Sequence, residues 1–146
     1  MDFKRGEEKL GRVVFELFDH DLPHTCENFK VLCNGEMGAN MYYVGTRVHR
    51  VVPRFMLHGG DISHSKDGKG GKSIFEEGHE IYSKDGLFED ENVWFPHSHK
   101  GVLSMNNNGK NTNGSQFMIS LRNNNEYFDE KHTVFGRIIK GWEVIE

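Results

Sequence analysis

The chain has 146 residues, of which 36% are hydrophobic, enough apolar material for one folded domain and too much for a disordered chain. Its formal net charge of -4 at pH 7 argues against a general binder of nucleic acid or of anionic membranes, because both attractions require a basic surface. No apolar run approaches the roughly 18 residues of a membrane span, and the first residues lack the apolar segment of a secretory signal.

The predicted elements are short strands and one helix. A mostly buried strand is predicted over residues 13–18. Residues 23–32 favour a helix, because Pro23 suits the first turn, where its missing N–H costs nothing, and Asn34-Gly35 is a stop signal. Further short strands are predicted at 47–52, 55–57, 102–105, 117–121 and 133–139. Many short strands joined by polar, glycine-rich turns favour an antiparallel barrel or sandwich.

Several kinds of chemistry find no support in the motifs. The glycine-rich run 68–73 matches neither the phosphate-loop pattern nor the dinucleotide pattern. Among the nine histidines only His97 and His99 are closely spaced, and no Cys-x-x-Cys or His-Glu-x-x-His is present, so no metal site is predicted. Cys26 and Cys33 are seven positions apart, about 10.5 Å along a helix, which is too far for a disulfide.

Seven segments carry an ordered set of motifs. They are Gly11–Leu17, Glu27–Phe29, Val48–Asp61, Gly70–Ile74, Phe88–Asn92, Gly101–Leu121 and Lys131–Gly136. Together they resemble the cyclophilin family of peptidyl-prolyl cis-trans isomerases, and the resemblance extends from Leu10 to Ile139. It implies a mainly β fold, a closed eight-stranded antiparallel β-barrel capped by helices. It also predicts a single domain over residues 1–146 that lacks part of the family's first strand and its C-terminal helix and strand.

The resemblance also implies a site. Arg50 matches the catalytic arginine of the family, and the matching substrate-binding positions are Phe55, Met56, His58, Asn106, Asn107, Asn108, Gln116, Met118, Tyr127, Phe128 and His132. Four of them match the walls of a pocket for the substrate's proline ring, namely Phe55, Met56, Phe128 and His132. Met118 stands where the family usually has Phe, and His58 replaces the usual Gln beside Gln116. The backbone of Asn107 matches the position that pairs with an extended peptide, and its neighbours Asn106 and Asn108 replace small residues.

An arginine beside an apolar pocket suits the reaction that the resemblance implies. Rotation about an Xaa-Pro bond must cross a barrier of about 18–20 kcal/mol. In the twisted state the prolyl nitrogen recovers its lone pair, so a fixed cationic donor stabilises that state more than the planar one. Arginine suits this role because its guanidinium is always charged and carries several hydrogen-bond donors. The reaction requires no nucleophile, cofactor or metal.

Strand alternation predicts which side chains enter the core. Because successive side chains of a strand point to opposite faces, one residue of each pair Phe55/Met56 and Phe117/Met118 is expected to face the core.

The departures from the family pattern leave two functions open. The first is an isomerase that acts on proline-containing peptides and proteins and assists folding. The second is a module that binds such segments with little or no turnover.

Tyr127 in place of the Trp of cyclosporin-binding members predicts weak cyclosporin binding. Residues 76–87 form an insertion, either an idle surface loop, which we favour, or a partner-binding one. A monomer is expected, in the cytoplasm, with a nuclear location left open.

Overall fold

The computed structural model describes residues 1–65 and 67–146. Its elements are β1 (Asp2–Arg5), β2 (Glu8–Arg12), β3 (Val14–Leu17), α1 (Pro23–Asn34), β4 (Arg50–Val52), β5 (Met56–Gly59), β6 (Val102–Met105), β7 (Phe117–Ser120), a 3-10 turn (Glu126–Phe128), β8 (Val134–Lys140) and α2 (Trp142–Ile145). The protein is therefore mainly β with two helices. Within this described part, no helix has both the length and the hydrophobicity that a bilayer crossing requires.

The strands form two antiparallel sheets. β1 and β2 make a hairpin, and the other six strands make one sheet in the order β3-β8-β6-β7-β5-β4. The predicted closed eight-stranded barrel is not confirmed, because the strands of the described residues pair as sheets of two and six with β3 and β4 at the edges of the larger one. The predicted strands within 13–18 and after residue 47 are all present, shifted by up to three residues.

The β1–β2 hairpin precedes the first strand that we predicted. Its turn contains Gly6 with φ of 60°, and every residue of β2 is exposed. The sequence over this hairpin is mostly charged and has no apolar alternation, so hydrophobic periodicity could not reveal it. Arg12 and Asp2 form an ion pair of 2.7 Å across the two strands.

Helix α1 begins and ends much as predicted. Leu22 at the N-cap supplies no side-chain hydrogen bond, and Glu91 takes over that role from a distant loop by accepting from the N–H of Thr25 at 2.7 Å and from its hydroxyl at 2.6 Å. The helix ends at Gly35, whose φ of 70° suits glycine and whose N–H donates to the carbonyl of Val31. The two cysteines are free, as their spacing predicted.

The main core lies between α1 and one face of the large sheet. Leu57, Leu103 and Ile119 stand in register on the three neighbouring strands β5, β6 and β7, and all three are at most 6% exposed. Phe29 of α1 contacts the rings of Phe117 and Phe135 at centroid distances of 5.5 and 5.2 Å. Burial of this face fixes the register of the strands, and so determines which side chains the opposite face presents.

The insertion 76–87 is an ordered loop beside α1. Its ends are joined to the rest of the chain, because the N–H of Ser73 donates to the carbonyl of Gly86 at 2.7 Å and the N–H of Glu89 donates to that of Ile81 at 2.8 Å. His79 stacks on Phe75 with a centroid distance of 4.7 Å. The choice between an idle and a partner-binding loop stays a prediction.

Candidate active site

A row of side chains crosses the large sheet on the face opposite the main core. Arg50 of β4 is in register with His58 of β5, His58 with Met118 of β7, and Met118 with Ser104 of β6. Residues in register on neighbouring strands share a face, so this row brings the predicted catalytic arginine beside the predicted pocket. Alternation separates Met118 from Phe117, which lies in the main core.

A compact apolar pocket lies next to this row. Met56, Met118 and Phe128 are 2%, 1% and 7% exposed, and they form a cluster separate from the main core. Phe55 packs on this cluster with its ring stacked on that of Phe128 at 5.1 Å. The ring of His132 meets Phe128 edge-on at 5.3 Å. The four residues predicted as pocket walls are thus together, and Met118 lies among them.

Arg50 and His58 supply the polar side of the pocket. Arg50 is exposed, and no described side chain or carbonyl lies within hydrogen-bond or ion-pair distance of its guanidinium. Nε2 of His58 is buried without a hydrogen-bond partner among the described residues. Burial first, and then the neighbouring His49 and Arg50, lower the pKa of His58 to about 4. The imidazole is therefore neutral at pH 7, and the arginine is the charged group at this edge.

The side chain of Gln116 is hydrogen-bonded to the loop 68–70 and to Asn106. Its Nε2 donates to the carbonyls of Gly68 and Gly70 at 2.6 and 2.7 Å, and its Oε1 accepts from Nδ2 of Asn106 at 3.0 Å. Both N–H groups of the Gln116 side-chain amide are thus used within the protein, where they hold the loop 68–70.

The three asparagines of 106–108 follow β6 at the rim. The backbone N–H of Asn107 donates to Oδ1 of Asn106 at 3.1 Å, and its side chain donates to the carbonyl of Lys131 at 2.8 Å. The N–H of Asn108 donates to the hydroxyl of Thr112 at 2.9 Å. Tyr127 lies at the outer edge of the pocket, 68% exposed, with its ring 6.4 Å from that of Phe55.

His132 faces the pocket with a defined protonation. Its Nδ1 lies 2.9 Å from the carbonyl oxygen of Met105, which can only accept, so Nδ1 carries the hydrogen. Burial lowers the pKa of His132, which keeps the ring neutral at pH 7.

Across residues 1–65 and 67–146 no group of three or more histidine, cysteine or carboxylate side chains could hold a metal ion.

Comparison with known proteins decides the family. The model of the family described as "Cyclophilin type peptidyl-prolyl cis-trans isomerase/CLD" matches residues 1–146. The chain belongs to the cyclophilin family. The NK-tumor recognition proteins of Mus musculus and Homo sapiens are each 43% identical to this cyclophilin over 151 residues. These matches cover 99% of the chain and 10% of each relative, so the chain spans about a tenth of their length.

A solved structure gives the same fold. A cyclophilin type peptidyl-prolyl cis-trans isomerase from Cryptosporidium parvum superposes on this cyclophilin with a TM-score of 0.77 and 31% sequence identity. The match covers 93% of this chain and 76% of that one. The family resemblance drawn from the motifs is confirmed.

One group of residues behind the pocket escaped sequence reasoning. His97 is 1% exposed and lies against Phe128 with a centroid distance of 5.7 Å. Its Nδ1 donates to Oδ1 of Asp129 at 2.8 Å, and its Nε2 accepts from the hydroxyl of Ser104 at 3.0 Å. Burial lowers the pKa of His97, and Asp129 opposes part of that effect. The three residues link β6 to the 3-10 turn that carries Phe128. Only His97 stood out in the sequence, as half of a His-x-His pair.

Proposed function

We propose that this cyclophilin catalyses cis–trans isomerisation of Xaa-Pro bonds in peptides and proteins. The observation that supports it best is the guanidinium of Arg50, which is exposed and has no partner among the described residues. Arg50 is in register with His58, next to the strand that carries Met56 of the Met56–Met118–Phe128 pocket. An apolar pocket of this kind would hold a proline ring, and the guanidinium would stand beside the amide that must twist.

The energetics divide between these two parts. An acceleration of about 10⁵ requires about 7 kcal/mol of transition-state stabilisation. One well-placed donor to the pyramidal prolyl nitrogen supplies roughly 3–4 kcal/mol in a site with little water. The remainder would come from the pocket, which orients the ring and excludes water while the preceding carbonyl turns. Because the imidazole of His58 is neutral, Arg50 is the charged group of the pair that these two residues form in register.

Exchange NMR on a short Xaa-Pro peptide tests this proposal. We expect the wild-type chain to speed cis–trans exchange, and Arg50→Ala to lower kcat/KM by about 10²- to 10³-fold. Arg50→Lys keeps the charge but loses the planar set of donors, so an intermediate value is expected. Arg5→Ala on the β1–β2 hairpin removes the same side chain remote from the pocket and should change nothing. Peptide binding without faster exchange would instead support the second candidate, a proline-binding module.

The ligands follow from the same geometry. We propose proline-containing peptides and proteins as substrates, and a role in folding or conformational switching. Weak cyclosporin binding is proposed as well, because the phenol of Tyr127 has a reach different from that of an indole N–H. The cytoplasm remains the proposed location.

A further inference from the structure

Two cations lie over the outer rings of the pocket, and two more adjoin it through the chain and the sheet. Cζ of Arg122 lies 5.5 Å from the ring centroid of Phe55, and Nζ of Lys131 lies 5.0 Å from that of Tyr127. Arg54 directly precedes Phe55, and Arg50 stands one strand from His58. We call Arg50, Arg54, Arg122 and Lys131 the cationic rim. All four are exposed, although the chain as a whole carries a net charge of -4.

The rim cations are not paired with carboxylates of the described chain. None of its four side chains is in a salt bridge in the part of the chain that the structure describes, whose ion pairs lie elsewhere. Glu126, Asp129 and Glu130 lie on the same segment as Tyr127, and none of them is within 4.0 Å of a rim cation. The four rim cations outnumber these three carboxylates, and all four are exposed to a ligand.

Arg54 is held in a conformation that favours glycine. The N–H of Phe55 donates to the carbonyl of Val52 at 3.0 Å, which closes a turn with Pro53 and Arg54 at its centre. The φ of Arg54 is 62°, in the left-handed region that an L side chain enters only at a cost. Six other described non-glycine residues have a positive φ, so the place of Arg54 beside Phe55 and its exposure, rather than its conformation alone, assign it to the rim.

We propose that the cationic rim selects substrates in which an anionic side chain lies next to the proline, either a carboxylate or the phosphate of a phosphorylated serine or threonine. This inference rests on the proposed function for the pocket itself and adds the charge of the segment that the pocket receives. Each exposed cation contributes little alone, but the rim acts together on one anion. The expected discrimination is about three- to tenfold in affinity between an acidic and a neutral peptide.

Matched peptides test the proposal by binding, independently of turnover. Four peptides differ only in the residue before proline, which is Ala, Glu, phosphoserine or Lys, and their affinities are measured by NMR chemical-shift titration at low and high salt. We expect the Glu and phosphoserine peptides to bind more tightly than the Ala peptide, the Lys peptide to bind least tightly, and the differences to shrink at high salt. The ratio of the phosphoserine to the Glu peptide shows which anion is preferred.

Variants of the rim locate the effect. Arg54→Gly and Arg122→Gln should each reduce the preference for the Glu peptide, while Lys4→Gln on the β1–β2 hairpin removes one positive charge and should leave it intact. Because glycine relieves the backbone at position 54, Arg54→Gly should also raise Tm by a few degrees, which excludes unfolding as the cause.

The outcomes separate this inference from the proposed function. Equal affinity for the Glu and Lys peptides overturns the inference, and faster exchange of the Ala peptide in the same samples would leave the isomerase proposal standing. Binding of none of the four peptides overturns both. A preference for Glu that survives in every rim variant also overturns it, because the rim would then not be its source.

Discussion

The histidine beside Arg50 makes stability depend on pH in a calculable way. Burial first, and then the neighbouring His49, Arg50 and His132, lower the pKa of His58 from 6.5 to about 4. In the unfolded chain the same ring takes up a proton below about pH 6.5. Between these values the unfolded state binds more protons, so acidification destabilises the fold. The contribution of His58 is complete above pH 6.5 and is lost as the pH falls towards 4.

The magnitude follows from the size of that change. A pKa lowered from 6.5 to about 4 corresponds to about 3.4 kcal/mol between the two protonation states. Solvent screening of this partly exposed ring reduces the expected contribution to about 1–2 kcal/mol. We therefore expect the wild-type chain to lose about 1–2 kcal/mol more than His58→Gln does between pH 7 and pH 4.

Urea unfolding followed by tryptophan fluorescence measures this difference at a series of pH values. His97 and His132 also have pKa values lowered by burial, but both remain in His58→Gln and contribute to both curves. His20→Gln, at an exposed loop position, serves as the matched control and should follow the wild type. Parallel curves for wild type and His58→Gln would refute the reasoning, because they would mean that His58 is not protected from protonation in the fold.

Two further predictions concern single side chains. Tyr127→Trp should raise the affinity for cyclosporin, measured by titration calorimetry, with turnover retained, and tight wild-type binding that the substitution leaves unchanged would contradict it. Glu91→Gln should cost about 1 kcal/mol in urea unfolding, because a carboxylate that accepts from the first turn of α1 becomes a neutral amide. Glu89→Gln, at an exposed position two residues away, is the control, and an equal loss there would show that Glu91 has no special part in the helix.

The sequence predicted what depends on local pattern and on known motifs. Helix α1 was recognisable from Pro23 and from Asn34-Gly35, and the strands β5, β6 and β7 from short apolar runs between polar turns. The residues of the pocket came from the family resemblance, and the structure brings them together. The β1–β2 hairpin was missed because charge, not apolar alternation, dominates its sequence.

Contacts between segments that are distant in the chain could not be predicted from the sequence. Glu91 accepts from Thr25 across 66 positions, and His97 reaches Asp129 across 32. The cationic rim has the same origin, since Arg122 meets Phe55 only because the N–H of Leu121 donates to the Phe55 carbonyl at 3.1 Å. No spacing in the chain indicates such pairs, because tertiary packing alone creates them.

The two faces of the large sheet differ in whether buried polar atoms have hydrogen-bond partners and in backbone conformation. On the core face Leu57 and Ile119 are buried in an apolar environment. On the other face and in the turn beside it, His58 and His49 each bury a ring nitrogen without a described partner, and Arg54 occupies a left-handed conformation. Buried polar atoms without a described partner also occur elsewhere, at Asn113 and Trp142 for example, and six other described non-glycine residues have a positive φ. Such locally destabilising features therefore support the candidate site only where a pocket and a cation adjoin them, as they do at His58 and Arg54.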